Sequence, residues 1–241
     1  MGKGEHMKVG VNGAVRDISD LKVGANGAVR QASELWIGVN GAVKKVWPTF
    51  PVGTVIVLDT VGSGSWECPA SGQWEIEIHG GGGGGGYGQR GNSAGGVSGG
   101  GGGGSGKQVT MLLEKGTKYS YSIGAGGPAG TVGAQARTGT TTRITGIASV
   151  DGGYPGGNSE QAIVGSAGKG VGELSTDGGR GTKSFDSFSL AEGGAGGYGN
   201  KNKPTQRYGN GGKGGDGARV FGSVTEGQPG EDGAIILTYL G

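Results

Sequence analysis

The chain has one cysteine, Cys68, so an internal disulfide and a cysteine-based zinc site are both excluded. Cys68 is expected to act as a small, partly buried hydrophobe. Two histidines, His6 and His79, leave little material for metal binding or proton transfer. Only 32% of the residues are hydrophobic, 6% aromatic and 17% charged, which argues against a conventional core layered with helices. No stretch approaches the ~20 apolar residues of a membrane span. No apolar run of ~7–15 residues near the N-terminus marks a signal peptide. Membrane insertion is therefore not expected, and synthesis in the cytoplasm is. The 21 Lys and Arg and 19 Asp and Glu are dispersed, with a net charge of +2, so nucleic acid is not expected as a partner.

What the chain has instead is glycine, at 65 of 241 residues, against an ordinary share of about 7%. From Gly80 onward, 53 of the 162 residues are glycine, which places a composition boundary near residue 80. Collagen would need glycine at every third position and abundant proline. The blocks 80–86 and 99–104, irregular spacing elsewhere and seven prolines exclude it. Gly/Ser-rich chains also form flexible coils. Strand patterns between the blocks, and the closing Ala234-Ile-Ile-Leu-Thr-Tyr-Leu240, favour order.

Residues 1–7 read as a leader or cloning remnant, and a repeat follows. Lys8-Val-Gly-Val-Asn-Gly-Ala-Val-Arg16, Lys22-Val-Gly-Ala-Asn-Gly-Ala-Val-Arg30 and Trp36-Ile-Gly-Val-Asn-Gly-Ala-Val-Lys44 align with a period of 14. Each unit centres on an Asn-Gly pair: Asn12-Gly13, Asn26-Gly27 and Asn40-Gly41. Asn-Gly between short apolar runs predicts a two-residue type I′ hairpin, because both turn residues take φ > 0. One such hairpin is unstable alone. Three could share a core of Val9, Val23 and Ile37 with Val15, Val29 and Val43. Residues 8–47 are expected to attach or space, with a linker strand over 48–63.

Residues 64–241 read as a glycine-rich β domain. Thr54-Val-Ile-Val-Leu58 is a short apolar strand. Gln73-Trp-Glu-Ile-Glu-Ile-His79 alternates, with Trp74, Ile76 and Ile78 on one side and Glu75, Glu77 and a solvated His79 on the other. Residues 107–113 and 117–123, joined by Glu114-Lys-Gly116, read as a hairpin; 143–150 gives a further strand. The expected fold class is all-β: tandem hairpins, then a small β-sandwich-like frame from which glycine-rich loops project.

The repeats at 8–47 resemble short units in tail and minor structural proteins of phages and prophages of Gram-positive bacteria. The order of Trp66-Glu-Cys-Pro-Ala, Trp74-Glu-Ile-Glu-Ile-His-Gly-Gly81, Lys118-Tyr-Ser-Tyr-Ser-Ile-Gly-Ala-Gly-Gly127, Gly139-Thr-Thr-Thr142, Asp151-Gly-Gly153 and the terminal Gly230-Glu-Asp-Gly-Ala-Ile-Ile-Leu-Thr-Tyr239 resembles the glycine-rich domain of phage tail fibres and receptor-binding proteins. That resemblance implies a virion location, other tail proteins as partners, a homotrimer or a monomeric tip capping a trimer, and the option of glycine blocks packed as layered polyglycine II helices. Only glycine lets extended threefold helices approach closely on every side. Charged and aromatic residues break the blocks here, which argues against a long continuous lattice.

Two motifs invite chemistry. Gly124-Ala-Gly-Gly-Pro-Ala-Gly130 partly mimics a dinucleotide loop, but no amphipathic helix follows it to receive a pyrophosphate. Gly211-Gly-Lys-Gly-Gly-Asp-Gly-Ala218 matches one calcium-binding nonapeptide, whereas such sites need tandem copies. An ordinary turn aspartate is the expected role of Asp216. Asp151, Asp177 and Asp232 occupy Asp-Gly turns. No catalytic set, metal or cofactor is expected. What remains is a surface: Tyr87, Arg90, Tyr154, Tyr198, Arg207 and Tyr208 lie within the glycine-rich stretches. Tyrosine and arginine among Gly, Ser and Asn match the composition of antibody contact loops. These six are expected to bind a host-surface glycan or protein, or to cap glycine layers. The expected function is a tail protein that attaches through its repeats and recognises a host surface. The alternative is a bacterial surface or matrix protein without a specific ligand.

Overall fold

The structure is a computed structural model. It describes residues 50–90, 96–160, 163–184, 190–218 and 223–241, together with the backbone of six strands between residues 8 and 47. The chain divides into two compact units, Met1–Thr54 with Tyr239–Gly241, and Val55–Thr238.

In the first unit, β1 (Lys8–Val11) pairs with β2 (Ala14–Asp17), β3 (Lys22–Ala25) with β4 (Ala28–Gln31), and β5 (Leu35–Val39) with β6 (Ala42–Trp47). All three pairs are antiparallel, each closing across two residues, at Val11↔Ala14, Ala25↔Ala28 and Val39↔Ala42. The Asn-Gly pairs themselves lie outside the described residues. So do the side chains of Val9, Val15, Val23, Val29, Ile37 and Val43, and with them the expected shared core.

The second unit begins at Val55. Its first strand, β7 (Val55–Leu58), pairs antiparallel with the closing strand. The remaining strands are β8 (Gly62–Glu67), β9 (Gly72–His79), β10 (Gly96–Val97), β11 (Lys107–Leu113), β12 (Lys118–Ile123), β13 (Thr142–Ile144), β14 (Ala148–Val150), β15 (Lys183–Ser184), β16 (Leu190–Ala191), β17 (Gly217–Ala218) and β18 (Ala234–Tyr239). No helix occurs among the described residues, and the fold is all-β.

Two four-stranded sheets form the frame, in the orders β11-β9-β18-β7 and β14-β13-β12-β8. Alternation in β9 buries Trp74, Ile76 and Ile78 completely, and Ile235 and Leu237 of β18 join them. Trp66 of β8 meets Trp74 edge-to-face, with ring centroids 5.5 Å apart, and stacks on Tyr119 at 5.8 Å. Such pairs add about 1 kcal/mol each beyond the area they bury. The expected hairpin of residues 107–113 with 117–123 does not form. β11 pairs with β9 and β12 pairs with β8, in different sheets. The turn between them is pinned instead by Gly116 N–H, which donates to Cys68 O at 2.8 Å. Gly116 has φ +82°, so the chain reverses there without strain as it crosses between sheets.

The glycine blocks run on from the sheets. Segment 80–88 follows β9 and segment 99–106 precedes β11. Hydrogen bonds along 80–88 change partner at each residue and return to the same partner every third. Gly81 and Gly84 donate to Thr140 and Arg137, Gly82 and Gly85 to Glu231 and Gln228, and Gly83 and Gly86 to Gly103 and Gly100, all at 2.8–3.0 Å. The carbonyls show the same period: Gly82 and Gly85 accept from Gly127 and Gly130, Gly81 and Gly84 from Gly153 and Gly156, and Gly83 and Gly86 from Gly212 and Gly215. Segment 80–88 therefore has six neighbours. Segment 99–106 also has six. It donates to 209–215, 154–157 and 176–179, and accepts from 83–86, 165–171 and 194–197.

The outer segments are bonded to one another in chain order. Arg137 donates to Pro128, Gly139 to Gly153, Tyr154 to Lys169, Gly178 to Gly168, Gly179 to Ala195, Gly211 to Gly197, Gln228 to Lys213, and Gly230 to Gly127, which closes the ring. Ten segments thus pack as two surrounded by eight. Positive φ does not explain the glycines, because none in 80–88 or 99–106 has it. The missing Cβ does: at Gly83 a Cβ would fall on the Tyr154 carbonyl, and at Gly102 on that of Gly83.

The charged and aromatic interruptions do not break this arrangement. They stand in the outer segments at every third position. Across 193–198, Ala195 and Tyr198 are exposed while Gly194 and Gly197 are buried. Across 211–216, Lys213 is exposed, Asp216 half-buried, and Gly212 and Gly215 buried.

Candidate functional site

The glycine bundle has two ends. Residues 80, 106, 124, 151 and 233 join it to the sheets, and the described residues 88–90, 96–98, 130–136, 158–160, 163–164, 182–184, 190–192, 217–218 and 223–224 lie at the opposite end. The six expected surface residues are spread over both. Tyr87 and Arg90 belong to the end away from the sheets, where Tyr87 lines a cavity of about 260 Å³. Tyr154 and Tyr198 point outward from the bundle wall, 55% and 45% exposed. Tyr198 lines a second cavity of about 260 Å³ with Asn210, Lys213 and Glu231. Arg207 and Tyr208 sit beside the sheets, where Arg207 is exposed. Tyr208 Oη donates to Asp59 Oδ2 at 2.9 Å, and its ring lies 6.5 Å from that of His79. That bond to Asp59, helped by burial, pushes the phenol pKa up. The six do not converge on one site.

The polar face of β9 differs from its expectation. His79 is fully buried and Glu77 only 2% exposed. The connector 200–208 covers them and supplies their partners. His79 Nε2 lies 2.7 Å from Glu77 Oε1, and Nδ1 lies 3.0 Å from Ser105 O. The ring thus bridges the Glu77 carboxylate and the Ser105 carbonyl. Asn200 Nδ2 donates to Glu77 Oε1 at 2.7 Å, and Lys203 Nζ to Oε2 at 2.6 Å. Burial pushes the Glu77 carboxyl up, but bonds from His79, Lys203 and Asn200 outweigh it and hold the pKa at about 2. Gln206 Nε2 is 3.2 Å from His79 Nε2, and Gln206 Oε1 is buried without a partner. Turning that amide end for end would place Oε1 beside His79 Nε2. Sequence reasoning missed this cluster, because alternation marks which face a side chain takes and not whether a distant connector covers it.

The two motifs that invited chemistry are used by the bundle. In 124–130, Gly127 and Gly130 donate to Gly82 and Gly85, and Gly126 donates to Asp232 Oδ1 at 2.8 Å. Those amides are engaged and do not face a phosphate. Asp216 Oδ1 accepts from Gly193 N–H at 2.8 Å and faces Lys213 Nζ at 3.4 Å. Asp177 likewise accepts from Gly170 N–H at 2.7 Å. These carboxylates replace neighbouring carbonyls at segment ends. Among the described residues, no three His, Cys, Asp or Glu side chains gather as a metal site. Cys68 is buried, its thiol donating to Ala70 O at 3.1 Å, and burial pushes its pKa up.

No protein-family model matches the chain, and no curated protein matches it.

Proposed function

We propose that the chain is a phage or prophage tail protein that attaches through residues 8–47 and presents a glycine-rich bundle for host-surface recognition. The observation that carries this reading is the division of labour within the bundle. Backbone hydrogen bonds hold ten segments, while outward positions such as Tyr154, Lys169, Tyr198 and Lys213 carry exposed side chains. Recognition needs such a rigid scaffold bearing variable loops. We further read the segments as polyglycine II helices. A three-residue period, six neighbours and the absence of positive φ in the two central segments support this. The partners on this reading are other tail proteins and a host glycan or surface protein.

Fluorescently labelled full-length chain is expected to bind saturably to cells of some strains in a Gram-positive panel. Binding to none of them above a glycine-rich control would remove the recognition role. The proposed assembly is a homotrimer, so light scattering at micromolar concentration is expected to give three times the 23.6 kDa of one chain. A mass of one chain would exclude it.

A further inference from the structure

We propose that the cavity beside Tyr87 binds a neutral saccharide unit of a surface glycan. This deepens the recognition reading above and rests on it. The cavity measures about 260 Å³, near the lower limit for ligand sites, and is open to solvent. Its walls come from the connectors after segments 80–88, 125–130 and 153–157, at the end of the bundle away from the sheets.

The wall is fixed before any ligand arrives. Tyr87 N–H donates to Asn158 Oδ1 at 2.8 Å, Asn158 Nδ2 donates to Ala134 O at 2.9 Å, and Tyr87 O accepts from Ser159 N–H and Oγ–H. Thr131 and Ala134 exchange backbone bonds at 3.0 and 3.2 Å across a tight turn in which Gly133 has φ +80°. A preformed wall removes much of the ordering cost of binding.

The backbone bonding also selects against a peptide. Adding a strand requires unpaired N–H and C=O groups along an edge. Here the N–H groups of Tyr87, Gln89, Thr131 and Ala134 are all engaged. The lining offers side-chain chemistry instead: the Tyr87 ring, the amides of Gln89 and Gln135, the Thr131 hydroxyl and the Glu160 carboxylate. Among the described residues no Lys, Arg or His lines the cavity, which selects against a phosphate, sulfate or sialic acid. An aromatic face beside amides and a carboxylate suits a pyranose, which has an apolar C–H face and neighbouring hydroxyls.

The test uses the full chain and saturation-transfer NMR. The probes are oligosaccharides ending in glucose, galactose, mannose or N-acetylglucosamine, with sialylated and sulfated glycans as charged comparisons. At least one neutral glycan is expected to bind. Tyr87→Ala and Gln135→Ala should each weaken that binding about tenfold or more with unchanged melting midpoints. Tyr198→Ala, in the other cavity, should leave it unchanged. Failure of every neutral glycan, preference for the charged ones, or undiminished binding by the Tyr87→Ala/Gln135→Ala double variant would overturn the assignment. Cell binding separates the two readings. A double variant that binds cells like the wild type sinks the saccharide site alone, whereas a wild type that binds no cells sinks recognition itself.

Discussion

Gly83→Val is expected to lower the stability of the second unit by several kcal/mol, enough to shift or abolish its thermal melt. Gly83 lies in the middle of segment 80–88, with N–H bonded to Gly103 and C=O bonded to Gly212. Its new Cβ would fall on the carbonyl oxygen of Tyr154. That oxygen cannot simply retreat, because it accepts from Gly103 N–H at 2.8 Å while Tyr154 N–H donates to Lys169 O at 3.0 Å. Displacing one segment therefore breaks bonds in two others. Ala195→Val is the matched control. Ala195 is exposed at an outward position, and the change should alter stability by no more than about 0.5 kcal/mol. If the glycine blocks were flexible linkers, Gly83→Val would be neutral or stabilising by up to about 1 kcal/mol. An unchanged midpoint would show that the bundle is not packed.

Acid is expected to release the connector that covers β9. The folded pKa of Glu77, about 2, lies below its ordinary 4.5, so it stabilises the fold fully above pH 4.5. That contribution is lost as pH falls from 4.5 towards 2. Its size is about 3 kcal/mol, from 1.36 kcal/mol per pKa unit. Other carboxylates titrate in the same window, so the comparison must be with Glu77→Gln. At pH 7 this variant takes away the carboxylate that accepts from Asn200 and Lys203 and lies 2.7 Å from His79 Nε2, and it should lose about 3 kcal/mol. Lys203 can turn to water, because its side chain is 54% exposed. Melting midpoints of the two proteins are then expected to converge between pH 4.5 and 2. Parallel curves over that range would show that Glu77 does not carry the effect.

Much of the frame was legible in local pattern. Alternation in Gln73–His79 identified Trp74, Ile76 and Ile78 as one buried face. The outward register is legible too. In Gly193-Gly-Ala-Gly-Gly-Tyr198 and Gly211-Gly-Lys-Gly-Gly-Asp216 the third position carries the side chain. An unbroken glycine run is needed only where a segment has neighbours on every side. The candidate site was less legible. The residues with suitable chemistry could be named, but Tyr208 serves Asp59 while Tyr87 lines a cavity, and this depends on residues 149 and 71 positions away respectively.

By itself the sequence determined the all-β class, the 14-residue period, the composition boundary near residue 80 and the hydrophobic face of β9, because each rests on spacing within a few residues. Only the tertiary structure decided that β11 joins β9 instead of β12, that residues 200–208 bury Glu77 and His79, and which six segments surround each glycine block. The physical reason is the same in all three. These choices are made by hydrogen bonds between distant parts of the chain, and a glycine, having no side chain, leaves no mark in the sequence of the neighbour its backbone will meet.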